Sequence, residues 1–414
     1  MRRSIRPGSR LGDVGEHADT SGNEAHQLRT RLVGKLRIGG AIKTEAVQDA
    51  MLAVPRHRFL PEAPLRIAYA DDVYVTKRDS EGDPVSSASQ PAIVAEMLEQ
   101  LDVRPGHRVL EIGAGTGYNA ALLDTLVGPE GSVTTVDLDP DIVARARRAL
   151  DSVGCERVRT IVGDGELGYA EAAPYDRIIV TVGAWDLPPA WWDQLAEGGR
   201  LVAPLQIRSS EHSIAFDYRG GVMRSHSIVC CGFLPMRGLG RHRGQTVELS
   251  QTRAINFHAD REVEAGGVRG ALDSRGSTVW TGVRISPGAD VSQLSLWLAC
   301  AFPGYGRMSA PFGDHGALRL LMRWANPAVV SGPDLAYVAC RRVGGGTEVG
   351  VRGHGPGGEA LAKQVAEQVA VWDRECRDGV RLQISAYRAG VGPTVEGRFV
   401  VAKRHSRLAI RVAS

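Results

Sequence analysis

Between residues 86 and 207, short and nearly continuous apolar runs alternate with segments whose apolar positions recur every three or four residues. Runs of the first kind are typical of strands buried on both faces, and the second spacing is typical of amphipathic helices. Their alternation predicts a parallel sheet covered by helices on both sides, which is an α/β, doubly wound fold. The predicted strands are 107–113, 131–139, 157–165, 175–183 and 200–205, and the predicted helices are 90–101, 118–128, 140–154 and 188–199.

The pattern changes after residue 205. Gly220 and Gly221 mark the turn of a predicted antiparallel hairpin, and short strands with polar turns follow from about residue 245. One helix interrupts these strands, because a single stripe of apolar side chains runs along residues 359–376. The stripe consists of Leu361, Val365, Val369, Trp372 and Cys376.

The chain therefore divides into three predicted segments. Residues 1–22 are polar and lack the apolar stretch of an export signal, so we expect a mobile tail. Residues 23–244 form the α/β domain. Residues 245–414 form a smaller α+β domain, which serves packing or oligomerisation on one interpretation and recognition of a peptide on the other. No pattern in this last segment indicates a metal site, a phosphate loop or a catalytic triad.

Composition and charge limit the classes of binding partner and the cellular compartment that the sequence predicts. The 414 residues include 50 Lys and Arg against 47 Asp and Glu, so the net charge of +3 implies no field suited to coating nucleic acid. No apolar stretch approaches the length of a membrane span. The six cysteines lack metal-ligand spacing, which predicts neither a metal site nor a disulfide framework. These features predict a cytoplasmic protein with no nucleic-acid or membrane partner.

A glycine-rich loop follows the first predicted strand of the α/β unit. Gly113, Gly115 and Gly117 stand at alternate positions, whereas a dinucleotide fingerprint requires a small residue where this chain has Tyr118. Glu111 lies just before the loop and would repel a pyrophosphate. The Gly-Lys-Ser/Thr ending of a phosphate-binding loop is also missing. The loop therefore suits a ligand without phosphate groups.

Two further carboxylates follow neighbouring predicted strands. Asp137 is placed to accept hydrogen bonds from ribose hydroxyls, with Leu138 beside it, and Asp164 is placed to receive an adenine amino group, with Gly165 beside it. S-adenosylmethionine has a ribose and an adenine, and it adds a sulfonium and an ammonium group that favour acidic surroundings. Alternatively, Asp137 merely caps the helix that begins near Pro140. The sequence thus predicts that the cofactor site includes Glu111 and the three glycines of the loop as well as these four residues.

Ser89 is the candidate residue for the acceptor. It immediately precedes a predicted helix with Pro91 in its first turn, so its hydroxyl and free backbone N–H groups could hold a carboxylate. Alternatively, Ser89 is only the N-cap of that helix. Arg56 and His57 form a second candidate pair of cations, although they could equally be surface residues.

Four stretches together resemble the protein-L-isoaspartate O-methyltransferases, over about Gln27 to Leu205. The first combines an apolar helix with Val-Pro-Arg and a following Phe-Leu-Pro, the second starts a helix with Ser-Gln-Pro, the third contains the glycine loop, and the fourth runs from the third strand onward. They read AMLAVPRHRFLP, SQPAIVAEM, VLEIGAGTGYNAALL and GDGELGYAEAAPYDRIIVTVGAWDLPPAWWDQLAEGGRLVAPL.

The resemblance implies a Rossmann-like class I methyltransferase domain that uses S-adenosylmethionine, releases S-adenosylhomocysteine and acts on a peptide or protein carrying aspartate or isoaspartate. It also implies that Ser89 contacts the acceptor carboxylate. The long C-terminal part is similar to that of actinobacterial members that accompany ribosomally made, modified peptides. In those, an aspartate side chain is methylated, and succinimide and isoaspartate follow. An oligomer is possible.

The chain departs from the bacterial repair enzymes of this family at two places. Small residues surround Ser89, where Ser87-Ala88-Ser89-Gln90-Pro91-Ala92 replaces Thr-Ile-Ser-Gln-Pro-Tyr, and tryptophans stand at 185, 191 and 192. Both changes predict a reshaped acceptor pocket, although Trp185 could equally cover only the edge of the sheet. Two alternatives to peptide tailoring remain, namely a housekeeping repair enzyme and a binding module without catalysis. A nicotinamide oxidoreductase is disfavoured because Tyr118 blocks the fingerprint.

Overall fold

The computed structural model describes residues 15–262, 265–286, 291–322, 325–376, 381–390 and 396–413. Most of the predicted tail, residues 1–14, lies outside these ranges. The first helix already begins at Gly15, so the predicted boundary at residue 22 differs from the structure. None of the helices in the described ranges combines the length and apolar character needed to cross a bilayer.

Between residues 15 and 230, the described structure contains seven helices and nine strands. The helices are α1 (Gly15–Ile38), α2 (Glu45–Ala53), α3 (Leu65–Ala68), α4 (Pro91–Leu101), α5 (Tyr118–Val127), α6 (Pro140–Asp151) and α7 (Pro189–Gln194). The strands are β1 (Tyr74–Arg78), β2 (Pro84–Ala88), β3 (Arg108–Ile112), β4 (Ser132–Asp137), β5 (Arg159–Val162), β6 (Tyr175–Val180), β7 (Leu195–Ile207), β8 (Ser210–Arg219) and β9 (Val222–Cys230).

Five of these strands form the predicted parallel sheet, in the order β5-β4-β3-β6-β7. Successive residues of one strand enter different cores: Val109 packs with α1, α2, α4 and α5, whereas Leu110 packs on the opposite face. A strand buried on both faces must be apolar throughout, which explains the continuous runs in the sequence. The predicted doubly wound α/β fold is confirmed.

The second part of the chain contains four helices and ten strands in the described ranges. The helices are α8 (Ala265–Val268), α9 (Ser292–Ala301), α10 (His315–Leu318) and α11 (Gly358–Cys376). The strands are β10 (Gln245–Glu248), β11 (Asn256–Ala259), β12 (Ser277–Ile285), β13 (Tyr305–Ser309), β14 (Asn326–Ser331), β15 (Asp334–Val343), β16 (Gly346–His354), β17 (Arg381–Arg388), β18 (Phe399–Ala402) and β19 (Ser406–Ala413).

Seven of these strands form a separate antiparallel sheet, in the order β10-β11-β13-β14-β15-β16-β12. The predicted amphipathic helix is α11, and its apolar stripe packs on β12, β15 and β16. Helix α9 lies between this second sheet and the first, since it contacts β13 as well as β7 and β8.

The last three strands return to the first sheet, which differs from the predicted division at residue 244. Strand β17 pairs antiparallel with β9, through Ser385 opposite Arg224 and Ala386 opposite Met223, and β19 and β18 follow it. The first sheet thereby reaches ten strands. Pairing with β17 covers the edge of β9, which would otherwise present unpaired backbone groups.

Polar contacts also hold these last strands against the first sheet. Lys403 Nζ donates to the backbone carbonyls of Trp185 and Gln206, the latter at 2.7 Å. The carboxylate of Asp186 accepts hydrogen bonds from the Ser406 hydroxyl at 2.5 Å and from the His405 backbone N–H at 2.6 Å. Burial lowers the pKa of Lys403 to about 8. The division into two independent units is therefore incomplete.

Replacing Ile410 by alanine tests this shared core. Ile410 is fully buried in β19, within the cluster that also contains Leu201 and Phe216 of the first sheet. Ile410→Ala is expected to lower the free energy of unfolding by about 2–5 kcal/mol, because it removes buried methylene groups and leaves a cavity. Chemical denaturation should show one cooperative transition that moves as a whole. Arg407 is exposed on the same strand, so Arg407→Ala should leave the denaturant concentration of this transition unchanged. Two transitions of which only one moves would contradict the shared core.

Candidate active site

A cavity of about 650 Å³ lies at the carboxyl ends of β3 and β4. Ligands of open α/β sheets bind at this edge of the sheet. The glycine loop, the end of β4 and the connection from β2 to α4 form part of its lining. Residues 230–237, at and after the end of β9, and Arg307 of β13 also belong to the lining.

The glycine loop brings its backbone close to its neighbours. Gly113 has a φ of +101°, and a Cβ there would lie 2.6 Å from Thr181 Oγ1. Gly117 has a φ of +86° and a Cβ there would lie 3.2 Å from the carbonyl oxygen of Ala146, in α6. Gly113 and Gly115 line the cavity, whereas Gly117 permits the close packing of α5 against α6. The backbone of the loop therefore lies so close to Thr181 and Ala146 that a larger residue would not fit at Gly113 or Gly117.

Glu111 lies at the floor of the cavity and is fully buried. One carboxylate oxygen accepts a hydrogen bond from Asn119 Nδ2 at 2.7 Å, and the other accepts one from Thr135 Oγ1 at 2.6 Å. Burial raises the pKa of Glu111 to about 7, although both hydrogen bonds oppose that rise. A cationic ligand in the cavity would favour the ionised form.

Asp137 lines the cavity at the end of β4, next to Leu138. Its Oδ2 accepts a hydrogen bond from the Gly115 backbone N–H at 3.0 Å, which ties it to the glycine loop. Burial raises the pKa of Asp137. The N-cap of α6 is Asp139 rather than Asp137, so the alternative of a helix cap is not what the structure shows. Leu138 is 37% exposed and offers an apolar surface beside the carboxylate.

Asp164 and Gly165 follow β5 and differ in their contacts with the cavity. Gly165 lines the cavity, and a Cβ there would lie 2.4 Å from Ile112 Cγ2. Asp164 is not among the residues that form this lining. Its two oxygens accept backbone N–H groups of Glu166 at 3.0 Å and of Leu239 at 2.7 Å. One of these hydrogen bonds ties the segment after β9 to Asp164, and lone pairs remain on both oxygens, so the contact of Asp164 with an adenine amino group stays a prediction.

Ser89 lines the cavity between β2 and α4, together with the small residues Ser86 to Ala88. The N-cap of α4 is Gln90, and the backbone N–H of Ala92 donates to Asp71 Oδ1 at 2.9 Å. Ser89 therefore does not cap this helix, and one of the N–H groups expected to be free is already bonded. The alternative of a purely capping serine is not what the structure shows.

Arg56 is the residue that sequence reasoning set aside. It is 2% exposed, lines the cavity and donates from Nη2 to the Ser89 carbonyl at 2.9 Å and from Nε to the Ala68 carbonyl at 3.0 Å. Its guanidinium also lies 5.0 Å from the centre of the Tyr118 ring. Burial lowers the pKa of Arg56. In the sequence, the position of Arg56 in the Val-Pro-Arg stretch was the feature that could have pointed to it. Periodicity alone does not distinguish a buried arginine from an exposed one.

The three tryptophans do not line the cavity. Trp185 stacks on His242 with ring centres 4.1 Å apart, and Trp192 donates to the Leu187 carbonyl inside the core. Trp191 acts on the site only indirectly, because its indole N–H donates to the Gly165 carbonyl at 2.9 Å. The small residues around Ser89 line the cavity, whereas none of the three tryptophans is part of this lining.

The far end of the cavity contains residues that no sequence motif indicated. Glu211 is the second residue of β8, and its carboxylate accepts the Phe233 backbone N–H at 2.9 Å. Burial raises the pKa of Glu211 to about 7, and the nearby Arg307 opposes that rise. Glu211 and Arg307 meet only through the tertiary fold, because they lie in different sheets.

The lining fits S-adenosylmethionine. Two carboxylates, Glu111 and Asp137, face the loop end of the cavity, where a cation and ribose hydroxyls would be favoured. Leu138 offers an apolar surface there, and the glycines leave no side chain in the way. When bound, S-adenosylmethionine supplies an electrophilic methyl group and, after transfer, leaves as S-adenosylhomocysteine.

Comparison with known proteins assigns the family. A family model described as "Protein-L-isoaspartate(D-aspartate) O-methyltransferase (PCMT)" matches residues 27–239. A relative named protein-L-isoaspartate O-methyltransferase, from Methanopyrus kandleri, is 42% identical over 214 residues, which are 51% of this chain and 92% of the relative. One from Hyperthermus butylicus is 40% identical over 221 residues, 51% of this chain and 89% of the relative. A solved structure of the same name has 23% identity and a TM-score of 0.49, covering 86% of this chain and 96% of its own.

The doubly wound sheet with its glycine-loop cavity is that of an S-adenosylmethionine-dependent methyltransferase. Within that class, the chain belongs to the protein-L-isoaspartate(D-aspartate) O-methyltransferase family. Enzymes of this family transfer a methyl group to protein or peptide substrates that contain isoaspartyl residues. The predicted enzyme class and cofactor are confirmed.

The pKa of Glu111 leads to a testable pH dependence of stability. Its folded pKa of about 7 exceeds the ordinary value of 4.5, so between these values the folded state retains a proton that the unfolded chain releases. Stability from this group is therefore full below about pH 4.5 and is lost as the pH rises through about 7. The free energy of unfolding of the wild type, relative to Glu111→Gln, should fall between pH 5 and pH 8 by up to about 3 kcal/mol.

Urea denaturation at several pH values measures this difference. The exposed Glu62→Gln serves as the control, and its difference from the wild type should not change with pH over this range. A difference between the wild type and Glu111→Gln that stays constant from pH 5 to pH 8 would exclude a protonated Glu111.

Proposed function

We propose that this enzyme methylates the side-chain carboxylate of an aspartate in a ribosomally made, modified peptide, and that the ester leads through a succinimide to isoaspartate. The observation that carries the proposal is the fusion of the C-terminal part to the catalytic sheet. The relative from Methanopyrus kandleri is matched over 92% of its length by about half of this chain. Here the remaining residues extend the sheet through β17 and reach the cavity through β13.

Such an addition is useful to an enzyme with one dedicated peptide partner. A repair enzyme acts on exposed isoaspartyl residues in many proteins, whereas a dedicated enzyme gains from binding energy remote from the reacting carboxylate. We therefore assign peptide recognition to the second sheet. The reaction takes place in the cytoplasm, where both ribosomal peptides and the methyl donor are found. Housekeeping repair is the second candidate, favoured by the 42% identity to a protein-L-isoaspartate O-methyltransferase.

The acceptor requires orientation rather than activation. An ordinary carboxyl group, with a pKa of about 4, is already ionised at neutral pH and needs no general base. Holding it in line with the methyl group can contribute roughly 7–11 kcal/mol to lowering the barrier. We assign this role to the Ser89 hydroxyl, positioned by Arg56 through the Ser89 carbonyl.

The cofactor-binding roles follow the lining of the cavity. Gly113, Gly115 and Gly165 allow close approach of the ligand, and Asp137 and Leu138 contact its ribose and adenine parts. Glu111 provides a negative charge at the floor. Gly117 acts indirectly in this assignment, through helix packing, and Asp164 also holds the segment at Leu239.

Esterification explains the later products. The backbone nitrogen of the residue after the aspartate attacks the ester carbonyl, loses its proton and expels methanol, which closes a five-membered succinimide. Water then adds to either carbonyl, and opening of the ring gives aspartate or isoaspartate. The same chemistry serves repair and deliberate rearrangement, so only the starting residue distinguishes them.

Replacing Ser89 by alanine tests the proposed acceptor contact. Loss of a hydrogen bond to a charged group should lower kcat/KM roughly ten- to hundredfold, while the dissociation constant for S-adenosylhomocysteine stays the same. Ser80→Ala, exposed in the turn between β1 and β2, is the matched control and should retain full activity. A parallel loss of cofactor binding in Ser89→Ala would instead assign Ser89 to the cofactor site.

Mass spectrometry of two acceptors tests the proposed substrate. The enzyme is incubated with S-adenosylmethionine and either a generic isoaspartyl peptide or the modified peptide encoded beside its gene. We expect the second alone to gain one methyl group and then to show a net loss of one water. Methylation of the generic peptide, without change in the modified one, would make housekeeping repair the function.

A further inference from the structure

Arg307 reaches the cavity from outside the methyltransferase unit. It lies in the middle of β13, between His258 of β11 and Pro327 of β14, in the second sheet. Among the described residues that line the cavity, it is the only one beyond residue 239, where the match to the family ends. Whatever Arg307 does in the cavity is therefore specific to the C-terminal part of this chain.

The lining contains three arginines, and two of them are already bonded. Arg237 forms an ion pair with Asp139 at 2.9 Å, and Arg56 donates to the carbonyls of Ala68 and Ser89. Arg307 has no hydrogen bond or ion pair with any residue in the described ranges, and its Nε is buried without a partner. Buried N–H groups in folded proteins are nearly always bonded, and the Nε–H of Arg307 is a buried one at the wall of the cavity. Other arginines in the described part of the chain also have an unpartnered Nε, but Arg307 is the one among them that lines the cavity, where its guanidinium is available to a ligand.

The surroundings of Arg307 indicate the charge of that ligand. Glu211 is a carboxylate of the lining that interacts with Arg307 electrostatically, and its Oε1 already accepts the Phe233 backbone N–H. Burial favours the protonated form of Glu211, and a protonated Glu211 neither neutralises Arg307 nor repels an incoming anion. A planar guanidinium matches a carboxylate in shape and can bind it through two parallel hydrogen bonds.

We propose that Arg307 is a substrate-binding residue, contributed by the second sheet, that binds a carboxylate of the acceptor peptide. This inference rests on the proposed function only in requiring an acidic peptide as acceptor, and it holds for either an aspartyl or an isoaspartyl substrate. Two carboxylates could fill the role, namely the one that is methylated and one on a neighbouring acidic residue. The second sheet is then a wall of the acceptor site, and its position beside the first sheet sets the distance between Arg307 and Ser89.

The test measures acceptor binding in three full-length variants. Arg307→Gln, Arg307→Lys and the control Arg342→Gln, exposed on β15 of the same sheet, are compared with the wild type. Each protein is loaded with S-adenosylhomocysteine and titrated with the generic isoaspartyl peptide and with the modified peptide. The probe is whichever of these two peptides binds the wild type more tightly. Arg307→Gln should weaken binding of this probe roughly ten- to hundredfold. Arg307→Lys should recover part of the loss, and Arg342→Gln should match the wild type.

A second pair of probes identifies the carboxylate. Each probe is made with glutamate or glutamine beside the acceptor residue. A loss in Arg307→Gln with both versions assigns the contact to the acceptor carboxylate, and a loss confined to the glutamate version assigns it to the neighbour. Unchanged peptide affinity in Arg307→Gln, with unchanged affinity for S-adenosylhomocysteine and an unchanged melting temperature, would overturn the proposal. Because the probe is whichever peptide binds, failure of the tailoring function leaves this test intact.

Discussion

The pairing of β17 with β9 is the contact on which the arrangement of this molecule depends. It consists of a short antiparallel register at Ser385 and Ala386, supported by a hydrogen bond from the Ile384 backbone N–H to Ser225 Oγ at 2.8 Å. Strand pairing of this kind satisfies backbone hydrogen-bonding groups at the edge of the first sheet. It also joins the segment that follows the second sheet to the first sheet. The second sheet is thereby held at both ends against the methyltransferase unit. A domain joined at one end only would be free to move away from the cavity.

The shared apolar core makes this arrangement rigid. Leu201 and Phe216 of the first sheet belong to the same cluster as Trp297 of α9 and Val365 of α11. Burial of these side chains is the main favourable term in folding, and close packing transmits displacement from one element to the next. A residue such as Arg307 can therefore be held at a defined place in the cavity, although it is distant in sequence from the glycine loop.

Charge is distributed unevenly along the cavity. The loop end has Glu111 and Asp137, which suit a cationic cofactor with ribose hydroxyls, whereas the acceptor side has Arg56 behind Ser89 and Arg307 on the far wall. Burial shifts the pKa values of Glu111 and Glu211 to about 7, so both carboxyl groups are close to the point where a bound charge decides their ionisation. A cation near the first and an anion near the second would drive the two groups in opposite directions.

The sequence by itself determined the doubly wound sheet, the glycine loop and the family. Local patterns carry this information: apolar strands must be continuous when both faces are buried, and positive φ angles at Gly113 and Gly117 favour glycine. Only the tertiary structure decided that Arg56 is buried, that Asp164 accepts the Leu239 backbone N–H, and that Trp185 packs on His242. It also decided that the last three strands return to the first sheet and that Arg307 reaches the site. The physical reason is that burial and hydrogen-bond partners at these positions come from residues far along the chain, and no local pattern records which distant surfaces will meet.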